Sequence, residues 1–158
     1  MTTLEHNAQA VQDALAAAGL DCTVVEFPAS TRTAQEAATA IGCSVAQIAK
    51  SIVFRTAGSK RAVLVIASGA KRIDPARVES VLGERLEKAT PEFVRAATGY
   101  AIGGVPPCAH RQPVVVFIDR DLLELDRLWA AAGTPNAVFG LSPGQLIELT
   151  GGTVLAVA

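Results

Sequence analysis

Two stretches of this sequence carry residues able to act on a carbonyl or a phosphate. One is Lys50, set where a short helical segment gives way to the apolar run Ser51-Ile52-Val53-Phe54. A cation fixed at the rim of a sheet can face a phosphate, a ribose or a carbonyl, although a lysine at a strand end also serves as a plain solubilising flank. The other is the loop Gly99-Tyr100-Ala101-Ile102-Gly103-Gly104-Val105-Pro106-Pro107-Cys108-Ala109-His110. It is long for a passive connection leading into a core strand. The paired Gly103 and Gly104 let the backbone approach a ligand and aim N–H groups at it, as in an anion nest or an oxyanion hole. Pro106 and Pro107 stiffen the second half of the loop. The same glycines also fit an ordinary turn that needs positive φ.

Other chemistry is poorly supplied. Cys108 and His110 stand two apart and would share a face on a strand, which admits a thiol hydrolase. No orienting acid stands near them, and catalytic Cys–His pairs usually join distant parts of a chain; a small buried cysteine beside a partly exposed histidine is the plainer reading. The nucleotide-binding, zinc-protease and serine-hydrolase motifs are missing. With only two histidines, His6 and His110, and no ligand spacing around either, no metal is expected. Three widely spaced cysteines, Cys22, Cys43 and Cys108, suit a reducing compartment better than a disulfide framework. There is neither a long apolar run nor a leader pattern at the N-terminus, so a cytoplasmic protein without a membrane association is expected. The net charge of −1 excludes a strongly basic nucleic-acid binder, but residues 50–95 hold ten basic and five acidic residues. That local excess can serve a polyanion or merely keep a surface solvated.

The elements that must position these groups can be read from the apolar spacing. Leu4, Ala8, Val11, Leu15 and Ala18 recur at helical intervals before Gly19. Residues 22–27 are β-branched and end at Pro28, a strand. Thr33-Ala34-Gln35-Glu36 is a capping box that opens a short alanine-rich helix, and Ser44-Val45-Ala46-Gln47 repeats the pattern for a further turn or two. Residues 51–55 and 62–67 form a hairpin whose continuous hydrophobicity predicts strands covered on both faces. Asp74-Pro75, Thr90-Pro91 and Ser142-Pro143 each start a helix. Further strands are expected over 113–118, 128–132, 137–141 and 153–157. With aromatic residues at only 4%, the core must be aliphatic. The expected fold is one α/β domain over residues 1–158, with a curved, mixed, largely antiparallel sheet surrounded by short helices.

Taken in order, these segments resemble the YbaK/ProX family. Thr33-Ala34-Gln35-Glu36-Ala37-Ala38 and Ile48-Ala49-Lys50-Ser51-Ile52-Val53-Phe54 look like its opening. Gly103-Gly104-Val105-Pro106-Pro107 matches its GxxxP loop, with Gly103 and Pro107 as the fixed ends. Ala132-Gly133 and Leu141-Ser142-Pro143-Gly144-Gln145-Leu146 are similar to its closing strand, turn and helix. The likeness runs from about residue 10 to 150.

The resemblance implies an enzyme of translation fidelity, an aminoacyl-tRNA deacylase related to the editing domain of bacterial prolyl-tRNA synthetase. Such a hydrolase cleaves the ester of mischarged tRNA carrying a small amino acid, here on tRNA(Pro), with no cofactor and no metal. A synthetase pocket separates amino acids differing by one methylene by only about 1–3 kcal/mol, so a second sieve is needed. The family's lysine maps onto Lys50 and its glycine loop onto residues 103–107. Amides of Gly103, Gly104 or Val105 would hold the ester carbonyl, and Lys50 would orient the tRNA 3′ acceptor end. An unperturbed lysine, near pKa ~10.4, is a poor base at neutrality. Ser51, Val105, Pro106 and Pro107 become substrate-binding candidates. Thr33 and Asn136 are pocket candidates that equally suit a cap and a turn. Lys71 and Arg72 are candidates for tRNA phosphates. Asn136 stands where alanine-editing relatives have a histidine, so alanine, serine, cysteine and 2-aminobutyrate all stay open. A prolyl-tRNA synthetase is a further expected partner. The alternative is a non-catalytic tRNA- or synthetase-binding module of the same fold.

Overall fold

The computed structural model describes residues 3–158. In chain order the elements are α1 (His6–Ala17), β1 (Val24–Glu26), α2 (Ala34–Ile41), β2 (Ala49–Thr56), β3 (Ala62–Ser68), α3 (Pro75–Leu82), β4 (Leu86–Lys88) and α4 (Pro91–Thr98). They continue with β5 (Val115–Asp119), β6 (Leu128–Ala131), β7 (Ala137–Leu141), α5 (Pro143–Thr150) and β8 (Thr153–Leu155). The cap residues read from sequence do their work. Thr33 and Ser142 close reciprocal capping boxes with Glu36 and Gln145, and Asp74 and Thr90 cap helices that begin with proline.

The strands form a mixed α/β arrangement in two open sheets. Five strands run in the order β4-β2-β3-β5-β8 and three in the order β1-β7-β6. All pairs are antiparallel except β3 with β5 and β5 with β8, which are parallel. What reads in sequence as one curved sheet is therefore divided, and among the described residues the two parts share one backbone bridge, the parallel one between Ile48 and Trp129. β8 completes the larger sheet of its own chain. β4 is not apparent from sequence because Leu86-Glu87-Lys88 is short and two-thirds charged; pairing with β2 and the Arg55–Glu87 ion pair at 2.6 Å hold it.

β3 explains the core. Every residue of it is buried. Leu64 and Ile66 point into the main core between the sheets, with Ala8, Val11 and Leu15 of α1, Val94 of α4 and Phe139 and Leu141 of β7. Val63, Val65 and Ala67 point the other way, onto Val78 of α3, Phe117 and Val157. Burial of each of the larger of these side chains, valine, leucine, isoleucine and phenylalanine, stabilises the fold by about 1.5–3 kcal/mol. β2 does not share this double cover. Ser51 is half-buried and Ile52 is 39% exposed. The expectation of two covered faces fails there because β2 borders open space between the bridge at Ile48 and the start of the β4 pairing at Phe54.

Candidate functional site

That interval is the mouth of a cavity of about 630 Å³. Its walls come from β2 (Lys50, Ser51, Ile52, Val53), the start of α2 (Thr33, Ala34, Ala37), β6 (Ala130, Ala131) and the glycine loop (Ile102, Gly103, Val105). Lys50 and the loop, distant in sequence, thus border one hollow, as the sequence reading requires. Most of the wall is small and aliphatic.

Lys50 is half-buried, and this burial lowers its pKa from the ordinary lysine value. Its Nζ donates to the backbone carbonyl of Lys71. The Lys71 ammonium is itself paired with Asp121. Lys71 thus contributes a carbonyl that aims Lys50, and its own charge is engaged. Arg72 is exposed and pairs with no carboxylate among the described residues. Neither Lys71 nor Arg72 lines the cavity.

The glycine loop is built as a tight turn. Gly103 has φ +92°, and the Gly104 N–H donates to the Ala101 carbonyl at 3.0 Å. A methyl group on Gly103 would lie 2.3 Å from Arg32 Cγ, so glycine is required there by conformation and by space. The expectation for Gly104 needs correction. Its N–H closes the turn, its carbonyl accepts from the Gly133 N–H at 2.9 Å, and it is buried against the Thr134 backbone outside the cavity wall. The donors left for a ligand are the amides of Gly103 and Val105, which bond to no described group. Pro106 and Pro107 are buried behind the wall and do not line it. His110 Nε2 meets the Pro106 carbonyl at 2.7 Å, and the Tyr100 hydroxyl donates to the Ala109 carbonyl at 2.9 Å. These contacts fix the loop.

Thr33 both caps α2 and lines the cavity. Asn136 lies elsewhere. Its side-chain amide donates to the Phe27 carbonyl at 2.9 Å and its Oδ1 accepts from Thr134, so it ties β1 to the β6–β7 turn. Asn136 is a turn residue and not a wall of this cavity. Cys108 is buried outside the wall, and burial pushes its thiol up to about 12, with Cys22 adding to the shift. Such a thiol is unionised at neutral pH, which removes the cysteine-hydrolase reading. Among the described residues no group of His, Cys, Asp and Glu is arranged to hold a metal.

Sequence reasoning missed three wall residues. Arg32 runs past Gly103 and Lys88 ends β4; both are exposed cations without a carboxylate partner among the described residues. Ile102, 47% exposed, lines the same cavity as the exposed Ile52. None has a local signal, because their meeting depends on the loop folding back over β2. The one carboxylate of the wall, Glu87, is held by Arg55 at 2.6 Å and Lys60 at 3.1 Å.

The family model described as an aminoacyl-tRNA editing domain matches residues 28–149. The chain belongs to that family. The matched span contains every wall residue named above. Within the editing-domain family and its relatives, the chain is 47% identical to a crystal structure described as that of a candidate trans-editing enzyme for prolyl-tRNA synthetase, with a TM-score of 0.92 and 98% of each chain covered. It is 43% identical, with a TM-score of 0.91 and 98% of each chain covered, to a scaffold protein from computational epitope grafting. It is also 33% identical over 127 residues, 80% of each chain, to the uncharacterized protein YwhH of Bacillus subtilis (strain 168). The likeness to the YbaK/ProX family read from sequence is thereby borne out, as is the mixed α/β fold. No helix among the described residues is long and apolar enough to cross a membrane.

Proposed function

We propose that this editing domain is a cytoplasmic deacylase that hydrolyses the ester between a small amino acid and tRNA, with tRNA(Pro) as carrier. The observation that carries this reading is the shared cavity: Lys50, Gly103 and Val105 line one hollow whose wall is largely small and aliphatic. Its volume of about 630 Å³ admits a small acyl group together with a terminal nucleoside. Ile52 and Ile102 at the rim offer apolar contact to the base, and Lys50, Arg32 and Lys88 are the cations nearest the incoming phosphates. Arg72 adds a cation outside the wall; Lys71, held by Asp121, acts through its carbonyl on Lys50.

The chemistry needs no protein nucleophile. The Gly103 and Val105 amides hold the ester carbonyl and stabilise the oxyanion that develops when water adds to its carbon. The acyl–oxygen bond to the ribose then breaks, the ribose oxygen takes up a proton, and free amino acid and tRNA leave. The neighbouring ribose hydroxyl helps to place the water. Lys50 supplies fixed charge and orientation to the 3′ end.

The test is a panel of tRNA(Pro) and other tRNAs charged with alanine, serine, cysteine or 2-aminobutyrate. Accelerated ester loss that falls by about tenfold to a hundredfold in Lys50→Ala supports the deacylase. Tight tRNA binding without ester loss replaces it with the non-catalytic binding module. Stimulation of the same reaction by prolyl-tRNA synthetase would identify that enzyme as a partner.

A further inference from the structure

Strand alternation places Ser51 on an unladdered stretch of the β2 edge beside the cavity. The Ile48 carbonyl accepts from the Gly69 N–H and the Thr56 N–H donates to the Arg61 carbonyl, so the even-numbered residues of β2 turn their backbone groups toward β3. The Ala57 N–H donates to the Arg85 carbonyl on the opposite side, so the odd-numbered residues turn theirs toward β4 and β6. Ladder pairing with β4 covers only residues 54–56, and the bridge to β6 lies at Ile48 and Trp129. Ser51 falls in the gap. Its N–H and C=O form an unladdered stretch of sheet edge beside the wall. Its Oγ is also buried without a hydrogen-bond partner. Three polar groups of one residue, each costly to leave unsatisfied, thus meet at this wall.

We propose that this open edge at Ser51 is the receptor for the α-ammonium group of the acyl moiety, with the Ser51 carbonyl as acceptor and Oγ as second partner. The inference rests on the deacylase reading and adds to it the groups of this chain that receive the amino end of the substrate. The wall's remaining acceptors support it. Glu87, its one carboxylate, is held by Arg55 and Lys60, so a positive group must be received by neutral oxygens. The Lys50 ammonium, which would repel it, is drawn to the Lys71 carbonyl. Ser51 comes directly after Lys50 and adjacent strand side chains point to opposite faces, so the two ammonium groups are kept apart.

The experiment compares two esters on the same tRNA: the 2-aminobutyryl ester and its 2-hydroxybutyryl analogue, which keeps the size but removes the charge and two donors. Rates are divided by the spontaneous hydrolysis of each ester. The amino ester is expected to be favoured in kcat/KM by about tenfold to a hundredfold, the worth of a charge-assisted hydrogen bond. Equal enhancement of both esters would overturn the proposal. The preference is expected to persist, reduced, in Ser51→Ala, because the backbone carbonyl remains; its complete loss there would overturn the assignment to the strand edge. If neither ester is cleaved above background, the deacylase reading itself falls, and that failure is distinct from equal cleavage of both.

Discussion

Replacing Gly103 by alanine tests the loop at its tightest point. A non-glycine residue in the left-handed region costs about 1–2 kcal/mol. Gly83, with φ +83° and nothing near its prospective methyl group, isolates that cost. Gly83→Ala should therefore lower the melting temperature by about 2–8 °C at this chain length and leave deacylation unchanged. At Gly103 the same strain applies, and the new methyl would also lie 2.3 Å from Arg32 Cγ and 3.1 Å from its Nε. Arg32 must swing away, or the turn must rotate and carry the Gly103 and Val105 amides with it. Loss of one such donor costs about a hundredfold to a thousandfold in kcat. Gly103→Ala should accordingly melt lower than Gly83→Ala and fall at least about a hundredfold in single-turnover deacylation. In an Arg32→Ala background the collision disappears, so the melting penalty of Gly103→Ala should shrink to that of Gly83→Ala; contacting residues give such non-additivity of about 0.5–3 kcal/mol. Wild-type melting and turnover in Gly103→Ala, or strict additivity with Arg32→Ala, would refute this account of the turn.

Lys50→Ala should lower kcat/KM by about tenfold to a hundredfold with little change in melting, and Lys50→Arg should restore only part, since a planar fork does not replace a point charge aimed by one carbonyl. His110 lies below the usual imidazole range because burial disfavours its charged form, against an opposing pull from the Pro106 carbonyl. Its stabilising contribution is therefore complete above the unfolded value, about 6.5, and is lost as pH falls through the lower folded value; His110→Gln should flatten the melting temperature between pH 7 and pH 5. Cys108→Ala should keep full deacylation, and iodoacetamide at pH 8 should label half-buried Cys43 well before Cys22 or Cys108. Asn136→Ala should destabilise the fold by about 1 kcal/mol, measured by urea unfolding, while leaving the choice among small amino acids unchanged.

Much of this was legible because local rules and tertiary structure agree. The capping boxes at Thr33 and Ser142, the proline-started helices and the β2–β3 hairpin each carry their own signal. The site was legible in outline: Lys50 and Gly103 border one cavity, as the sequence reading demanded. The roles of their neighbours were not. Gly104 and Gly103 are identical in sequence terms, and only the hydrogen bond to Ala101 shows which amide is already used. Lys71 reads as a free cation until Asp121, fifty residues on, is seen beside it. Asn136 reads equally as a pocket or a turn residue until its bond to Phe27 decides. The division of the sheet was hidden for the same reason, since strand patterning reports which residues are buried and not where two ribbons part company.

The parting at Ile48 and Trp129 has an evolutionary consequence. Lys50 and the glycine turn, proposed to act on the ester, are anchored to the larger ribbon and the loop, whereas Ala130, Ala131 and Val138 belong to the smaller one. Drift in those three side chains resizes the chamber while the reactive apparatus stays untouched.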